Sequence, residues 1–155
     1  MIKIKEVKTA KDKKAFLDFP YSLYKKNPCY TPPLYSDEKK IFGKKNAYYD
    51  TCESIYFLAV DENDKVVGRI SGTIQHASNL KTGERRVRFN RFDAIDNQAV
   101  ADALFKAVED WAVGRGYDTV CGPLGFSDLE REGLLIEGFD QTNTFEEQYN
   151  FTYYA

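Results

Sequence analysis

The sequence predicts an α/β (α+β) domain with a mixed, largely antiparallel sheet that is flanked by helices. Three observations predict this class. Ile55–Val60 is a nearly continuous apolar run, Val66–His76 alternates apolar and polar residues, and Arg86–Gly122 has the pattern of a strand, a helix and a strand. Because 155 residues can bury one sizeable core, we expect a single domain over residues 1–155.

The composition excludes several classes of protein. The chain is 43% apolar and 30% charged, and its formal charge of −2 provides no field that attracts nucleic acid. No apolar run approaches the ~18 residues of a membrane span, and the N-terminus lacks the apolar core of a signal peptide. One histidine and three scattered cysteines do not indicate a zinc site. We therefore expect a cytoplasmic protein without a metal site that binds neither nucleic acid nor membranes.

The first quarter of the chain predicts an edge strand and a helix. Ile2–Val7 alternates isoleucine with lysine, which is typical of an exposed strand. Thr9 and Asp12 have the spacing of a capping box at a helix start. Pro20 removes a backbone donor, so it predicts a kink or a second short helix around Tyr21–Lys25. A further short helical piece is expected within 37–42.

An antiparallel trio of strands is predicted in the middle of the chain. The three strands are Ile55–Val60, Val66–His76 and Val87–Ile95. Turn residues follow the first strand, and Asn79–Glu84 is predicted to be the turn before the third. Arg69 lies on the polar face of the second strand, where solvation or an ion pair is expected. His76 ends the apolar face of that strand, so we expect it in the core or at its rim.

A long amphipathic helix follows the third strand. Asp96 is a suitable N-cap for it. One face carries an apolar stripe at helical spacing, composed of Val100, Leu104, Val108 and Trp111. The pattern then predicts a strand over Tyr117–Cys121 and, because apolar residues alternate again from Tyr149 to Tyr153, a terminal strand.

The order of these elements and several short motifs resemble the GNAT superfamily of acyl-CoA N-acyltransferases, and more closely one uncharacterised bacterial branch. The likeness covers almost the whole chain. The motifs that carry it are Phe19-Pro20-Tyr21, Asn27-Pro28, Pro32-Pro33-Leu34, Val67-Gly68-Arg69-Ile70, Glu109-Asp110-Trp111, Gly122-Pro123-Leu124, Gly133-Leu134-Leu135 and Tyr153-Tyr154.

The resemblance implies acetyl-CoA or another acyl-CoA as cofactor and a small-molecule amine as acceptor. In such proteins the pantetheine arm pairs with the strand before the long helix, and the pyrophosphate lies at the helix N-terminus. The implied cofactor-binding residues are Ala94, Ile95, Asn97, Gln98, Ala99, Val100 and Ala101. Transfer needs a base for the amine and an acid for the thiolate. The candidate catalytic residues are Glu137, Tyr153 and Tyr154, with Glu130 and Glu132 as further carboxylates. Glu137 is expected to be a solvated loop carboxylate; the alternative is a partly buried carboxyl with a raised pKa.

The chain departs from the superfamily pattern in ways that favour a second hypothesis. Asp96 stands where Arg or Gln is expected, and Ala99 replaces a glycine of the pyrophosphate loop. The chain also ends early relative to the superfamily, as an N-terminal portion or a short form would. The alternative is therefore a non-catalytic GNAT-like domain that binds a protein partner or a small ligand, or that pairs with a second copy, as a homodimer, through strand edges. Arg91 needs an anionic partner if it points inward, either Asp93 or a ligand.

Overall fold

A computed structural model describes residues 1–43 and 45–154; Lys44 and Ala155 therefore lie outside the described residues. The strands are β1 (Lys3–Glu6), β2 (Cys52–Val60), β3 (Val66–Gln75), β4 (Arg86–Ala94) and β5 (Thr119–Cys121). The helices are α1 (Ala10–Leu23), α2 (Tyr35–Glu38), α3 (His76–Thr82) and α4 (Gln98–Gly114). Single 3-10 turns span Lys39–Phe42, Ala47–Asp50 and Thr152–Tyr154.

The five strands form one sheet in the order β1-β2-β3-β4-β5. The first four strands pair antiparallel, and β5 runs parallel to β4, so the predicted fold class is confirmed. Pairing between β4 and β5 spans only Arg86–Arg88 against Thr119–Cys121. One further bond, from Leu124 N to the Phe89 carbonyl at 2.8 Å, ends this contact. The two strands therefore diverge, and β4 beyond Phe89 presents an edge that β5 does not cover.

Helix α4 covers one face of the sheet. Val100, Leu104 and Val108 are fully buried, as their helical spacing predicts. Two glycines of β3 let this helix approach closely. A Cβ on Gly68 would lie 2.8 Å from Leu104 Cδ1, and one on Gly72 would lie 3.3 Å from the Trp111 ring. The close contact between α4 and β3 therefore depends on residues without side chains at positions 68 and 72.

Helix α1 covers the opposite face, and it does not break at Pro20. The helix runs unbroken to Leu23, so the predicted second helix around Tyr21–Lys25 is wrong. A proline deprives the carbonyl four residues earlier, that of Phe16, of its helical donor. Arg69 Nη1 donates to this carbonyl at 2.9 Å, and its guanidinium lies over the Phe16 ring. The tertiary contact thus replaces the hydrogen bond that Pro20 cannot make.

The capping box at the start of α1 is confirmed. Asp12 N donates to Thr9 Oγ1 at 3.1 Å, and Thr9 N donates to Asp12 Oδ2 at 3.0 Å. We expect Thr9→Ala to lower the free energy of unfolding by about 1 kcal/mol, since Asp12 N loses its acceptor. Urea unfolding at pH 7 measures this change. The exposed Thr142→Ala is the control, and equal stability of the two variants would contradict the prediction.

Three other predictions are corrected by the structure. Asn79–Glu84 is not a simple turn, because its first residues belong to α3. His76 begins α3 and is exposed, rather than lying in the core. The terminal strand is also wrong. Asn150 is buried there and uses its side chain to bond Leu135 N at 2.8 Å and Leu135 O at 3.1 Å, which holds the tail as an irregular segment.

No helix within the described residues is long and apolar enough to cross a membrane.

Candidate functional site

A β-bulge in β4 shapes the candidate site. Arg69 pairs with Asp93 and Ser71 with Asn90, so Ile70 alone faces two residues of β4, Arg91 and Phe92. Arg91 adopts a left-handed backbone with φ of 49°, which costs energy for a residue with a side chain. The Asn90 side chain accepts a hydrogen bond from Arg91 N at 2.7 Å and so supports this conformation. The bulge turns the Arg91 side chain away from the face that packs on α4.

Arg91 is the centre of a charge cluster. Its Nε and Nη2 donate to the two oxygens of Glu38 at 3.2 and 3.3 Å, and Nη2 also donates to Glu130 Oε1 at 3.1 Å. Arg131 Nη2 lies 3.6 Å from Glu38 Oε1. The predicted pairing of Arg91 with Asp93 is therefore wrong; the partners come from α2 and from the loop after β5. The cluster ties these two segments to the bulge.

The charge cluster keeps Glu38 ionised. Burial raises the pKa of this carboxyl, but the nearby guanidiniums of Arg91, Arg69 and Arg131 outweigh it and hold the pKa at about 2. Burial lowers the pKa of Arg91, but the carboxylates of Glu38 and Glu130 outweigh it and raise the pKa above its ordinary value. Glu38 is therefore a poor base near neutral pH.

A second buried ion pair adjoins the cluster. Arg69 Nε donates to Asp93 Oδ2 at 2.7 Å, and both side chains are at least nine-tenths buried. The Tyr24 hydroxyl donates to the other oxygen, Asp93 Oδ1, at 3.0 Å. Burial, followed by the Asp93 charge, raises the pKa of Tyr24, so this hydroxyl stays a donor. Arg69 is paired, as one of the two expectations had it, and buried.

The ion pair of Arg69 with Asp93 and the charge cluster around Arg91 line a cavity of about 190 Å³ on the side of the sheet away from α4, which we call the charged cavity. Its carboxylates outnumber its guanidiniums by five to three. Its lining also includes Leu34, Leu129 and Phe145, which are 61%, 90% and 52% exposed. The two surplus carboxylates, Asp37 and Glu146, are exposed. The charged cavity thus combines an interior in which carboxylates and guanidiniums balance with a rim that is both acidic and apolar.

A second cavity, of about 160 Å³, lies where β4 meets α4; we call it the junction cavity. Five of the predicted cofactor-binding residues line it: Ala94, Ile95, Asn97, Gln98 and Ala101. Of the other two, Val100 is buried in the core and Ala99 is exposed, and neither lines this cavity. Phe92 and Phe105 add an apolar wall.

The helix cap at this junction differs from the prediction. Asn97, not Asp96, is the N-cap, and its Oδ1 accepts from Ala99 N at 3.0 Å. Asp96 is exposed and lines the junction cavity. A carboxylate at this position repels any anion that approaches the N-terminus of α4, which disfavours the binding of a pyrophosphate there.

The three candidate catalytic residues lie in two separate places. Tyr153 and Tyr154 both line the junction cavity. Glu137 is exposed in a loop, as expected of a solvated carboxylate, so the alternative of partial burial is wrong, and it lines neither the charged cavity nor the junction cavity. Glu130 lies in the charged cavity, and Glu132 is exposed. Across residues 1–43 and 45–154, no group of three or more histidine, cysteine or acidic side chains is placed to hold a metal ion.

Sequence reasoning did not assign Glu38 or Arg131 to the site. Glu38 is 53 residues from Arg91, and Glu130 is 39 residues from it on the other side. No local pattern marks partners at such separations. The one signal in the sequence is Arg91, because a basic side chain that points inward needs an anionic partner. The sequence does not show which carboxylate provides it.

The diverging β4 and β5, the bulge in β4 and the helix that begins at the divergence define a GNAT-like fold. A GNAT-family acetyltransferase from Staphylococcus aureus Mu50 superposes with a TM-score of 0.55 at 15% identity, covering 77% of this chain and 71% of that one. A predicted acetyltransferase with acetyl-CoA from Clostridium acetobutylicum gives a TM-score of 0.55 at 13% identity, covering 78% and 79%. At such identities the likeness shows the fold alone.

Two curated proteins are similar in sequence. Protein YghO of Escherichia coli is 36% identical over 129 residues, and a bacterial ceramide synthase of Caulobacter vibrioides is 36% identical over 136 residues. The matches cover 83% and 86% of this chain. They cover 33% and 35% of the relatives, so the chain spans about a third of the length of these proteins. No protein-family model matches the chain.

Proposed function

We propose that the chain provides the acyl-CoA site of an N-acyltransferase, with the acyl donor lying along the uncovered edge of β4. The observation that carries this proposal is the divergence of β4 from β5, which leaves the peptide of Ala94 at the wall of the junction cavity. An extended amide-containing arm can pair with such an edge as an added strand does. The N-terminus of α4 lies in the same cavity and provides a positive dipole end for a phosphate.

The proposed acceptor is an amine that carries an apolar chain. The charged cavity lies across β4 from the junction cavity: Arg91 and Asp93 line the first, and Phe92 and Ala94 line the second. The exposed carboxylates of Asp37 and Glu146 at the rim attract an ammonium group, and the apolar side chains of the same rim offer contact to a hydrocarbon chain. The name of the Caulobacter relative supports this choice, because a ceramide is the amide of a fatty acid with a long-chain amino alcohol.

The proposed reaction is direct attack of the amine on the thioester carbonyl. The ammonium group first releases one proton to water, and the free amine then forms the C–N bond as the C–S bond breaks. The second proton that the nitrogen loses passes to the thiolate, so the products are the amide and the thiol. Glu130 accepts bonds from Phe126 N at 2.7 Å through one oxygen and from Arg91 at 3.1 Å through the other. Because both oxygens are already engaged, we assign Glu130 to attraction and orientation of the ammonium group rather than to removal of its proton.

Titration with acetyl-CoA tests the cofactor site, and Asp96→Arg sharpens the test. We expect this variant to bind acetyl-CoA at least about tenfold more tightly, because a charge near the phosphates changes from repulsive to attractive. Glu109→Arg is the matched control. It makes the same charge change on an exposed site about 16 Å along α4 from Gln98 and should leave the dissociation constant unchanged. Calorimetry measures the dissociation constants of acetyl-CoA from the unmodified protein, from Asp96→Arg and from Glu109→Arg.

The outcomes separate the two hypotheses about this domain. Equal tightening by Asp96→Arg and Glu109→Arg would indicate general charge attraction, not a site at the junction. No binding by any of the three proteins at millimolar acetyl-CoA would reject the acyltransferase and leave the non-catalytic binding domain. Mass spectrometry of reactions with long-chain and short-chain amines tests the acceptor, and a preference for the short chain would contradict the assignment of the apolar rim.

A further inference from the structure

Two tyrosine hydroxyls occupy the edge of β4 at which the proposed acyl donor pairs. Ala94 N donates to the Tyr154 hydroxyl at 2.7 Å. The Ala94 carbonyl accepts from the Tyr154 hydroxyl at 3.1 Å and from the Tyr153 hydroxyl at 2.8 Å. A carbonyl oxygen has two lone pairs and a peptide nitrogen has one proton. The hydrogen-bonding capacity of this peptide toward the uncovered edge is therefore fully used.

The direction of these bonds identifies what they replace. The next backbone donor, Ile95 N, bonds Val67 O at 3.0 Å on the β3 side, so the N–H and C=O of Ala94 point to the other side. A neighbouring strand would contact Ala94 with one acceptor and one donor. The Tyr154 hydroxyl provides both at once, and the Tyr153 hydroxyl adds a second donor. The pair thus imitates a strand at a single position.

Packing holds the two tyrosines at this position without burying them completely. The Tyr154 ring lies edge-on to Phe92, with centroids 5.3 Å apart, and the two tyrosine rings lie 5.1 Å apart. Tyr153 is 37% exposed, and both belong to the short turn Thr152–Tyr154 rather than to a strand of the sheet. A segment held by side-chain contacts and a single turn can leave the edge at a smaller cost than a paired strand.

We propose that Tyr153 and Tyr154 form a latch that closes the edge of β4 at Ala94 and that an acyl donor must displace. The proposal rests on the proposed function and adds a regulation to that site. Binding of the donor is weakened by the fraction of molecules in which the edge is closed.

The double variant Tyr153→Phe and Tyr154→Phe tests the latch. It keeps both rings and removes the hydroxyls. Acetyl-CoA should therefore bind to the double variant at least about tenfold more tightly than to the unmodified protein. Tyr117→Phe is the matched control, because its hydroxyl contacts His76 at 3.4 Å on an exposed surface, and it should not change the dissociation constant. Should the double variant unfold, Tyr153→Phe alone removes one of the three bonds and should give a smaller tightening.

Hydrogen exchange of the Ala94 amide gives a readout that needs no ligand. Exchange in the free protein should accelerate in Tyr154→Phe and stay unchanged in Tyr117→Phe, and equal rates would overturn the latch. Equal or weaker acetyl-CoA binding by the double variant would overturn it while the proposed function stands, and slower transfer with unchanged binding would assign the hydroxyls to proton donation. Absence of binding by every variant would reject the latch together with the proposed function.

Discussion

Replacement of Arg91 by methionine is expected to lower the free energy of unfolding by about 3–5 kcal/mol at pH 7. The change removes the hydrogen bonds that Arg91 donates to Glu38 and Glu130 but leaves both carboxylates in place, and their side chains are 13% and 20% exposed. Arg131 near Glu38 and Phe126 N at Glu130 remain as partners. An incompletely solvated charge without its partner is destabilising. Methionine matches the aliphatic part of arginine and is likewise unbranched at Cβ, so we expect the left-handed backbone at position 91 and its strain to be common to both proteins.

The destabilisation should shrink in acid. In the unmodified protein Glu38 has a pKa of about 2 against an ordinary 4.5, so its stabilising contribution is complete above pH 4.5 and is lost as the pH falls toward 2. Without Arg91, burial is opposed less and the pKa of Glu38 rises. The stability difference between the two proteins should therefore narrow by up to about 3 kcal/mol between pH 5 and pH 2.

Urea unfolding at several pH values measures both effects. Lys40→Met is the matched control, since it breaks an exposed pair with Asp37 whose side chains are 74% and 56% exposed. This variant should lose less than about 0.5 kcal/mol at pH 7. A stability difference for Arg91→Met that stays constant from pH 7 to pH 3 would show that the loss comes from packing and not from the unpaired carboxylates.

Replacement of Arg69 by methionine is expected to cost a similar amount, about 3–5 kcal/mol. Asp93 would keep the Tyr24 hydroxyl but lose its ion-pair partner in a buried position. The Phe16 carbonyl would lose its donor as well, and Pro20 cannot supply one. The second loss is separable from the first, because an alanine at position 20 has the N–H that the proline lacks.

A double-mutant cycle between Arg69→Met and Pro20→Ala isolates this contact. We expect Pro20→Ala to be more favourable by about 1 kcal/mol in the Arg69→Met background than in the unmodified protein, since only there does it restore a donor to an unpaired carbonyl. Packing lost with the proline ring occurs in both backgrounds and cancels. Pro28→Ala, at an exposed proline outside α1, should be additive with Arg69→Met. Additivity for Pro20→Ala would contradict the proposed role of Arg69.

The outcome for individual elements shows which patterns are reliable. The alternation in β3, the apolar run in β2 and the stripe on α4 each depend on contacts with one continuous surface, and all three elements formed as predicted. The tail alternates just as clearly, but Asn150 bonds the backbone of Leu135 through its side chain and leaves no strand pairing there. Alternation predicts a strand only where a partner strand is within reach.

The sequence by itself determined the fold class, the capping box of α1 and five residues that line the junction cavity. The fold class and the capping box follow from local patterns of burial and capping, and the five residues follow from the resemblance to the GNAT superfamily. Tertiary structure alone decided how Arg91 is paired, why α1 passes through Pro20 and where Tyr153 and Tyr154 bind. These depend on atoms 39 to 60 residues apart in the chain, where long-range packing selects the partner and local periodicity carries no information about it.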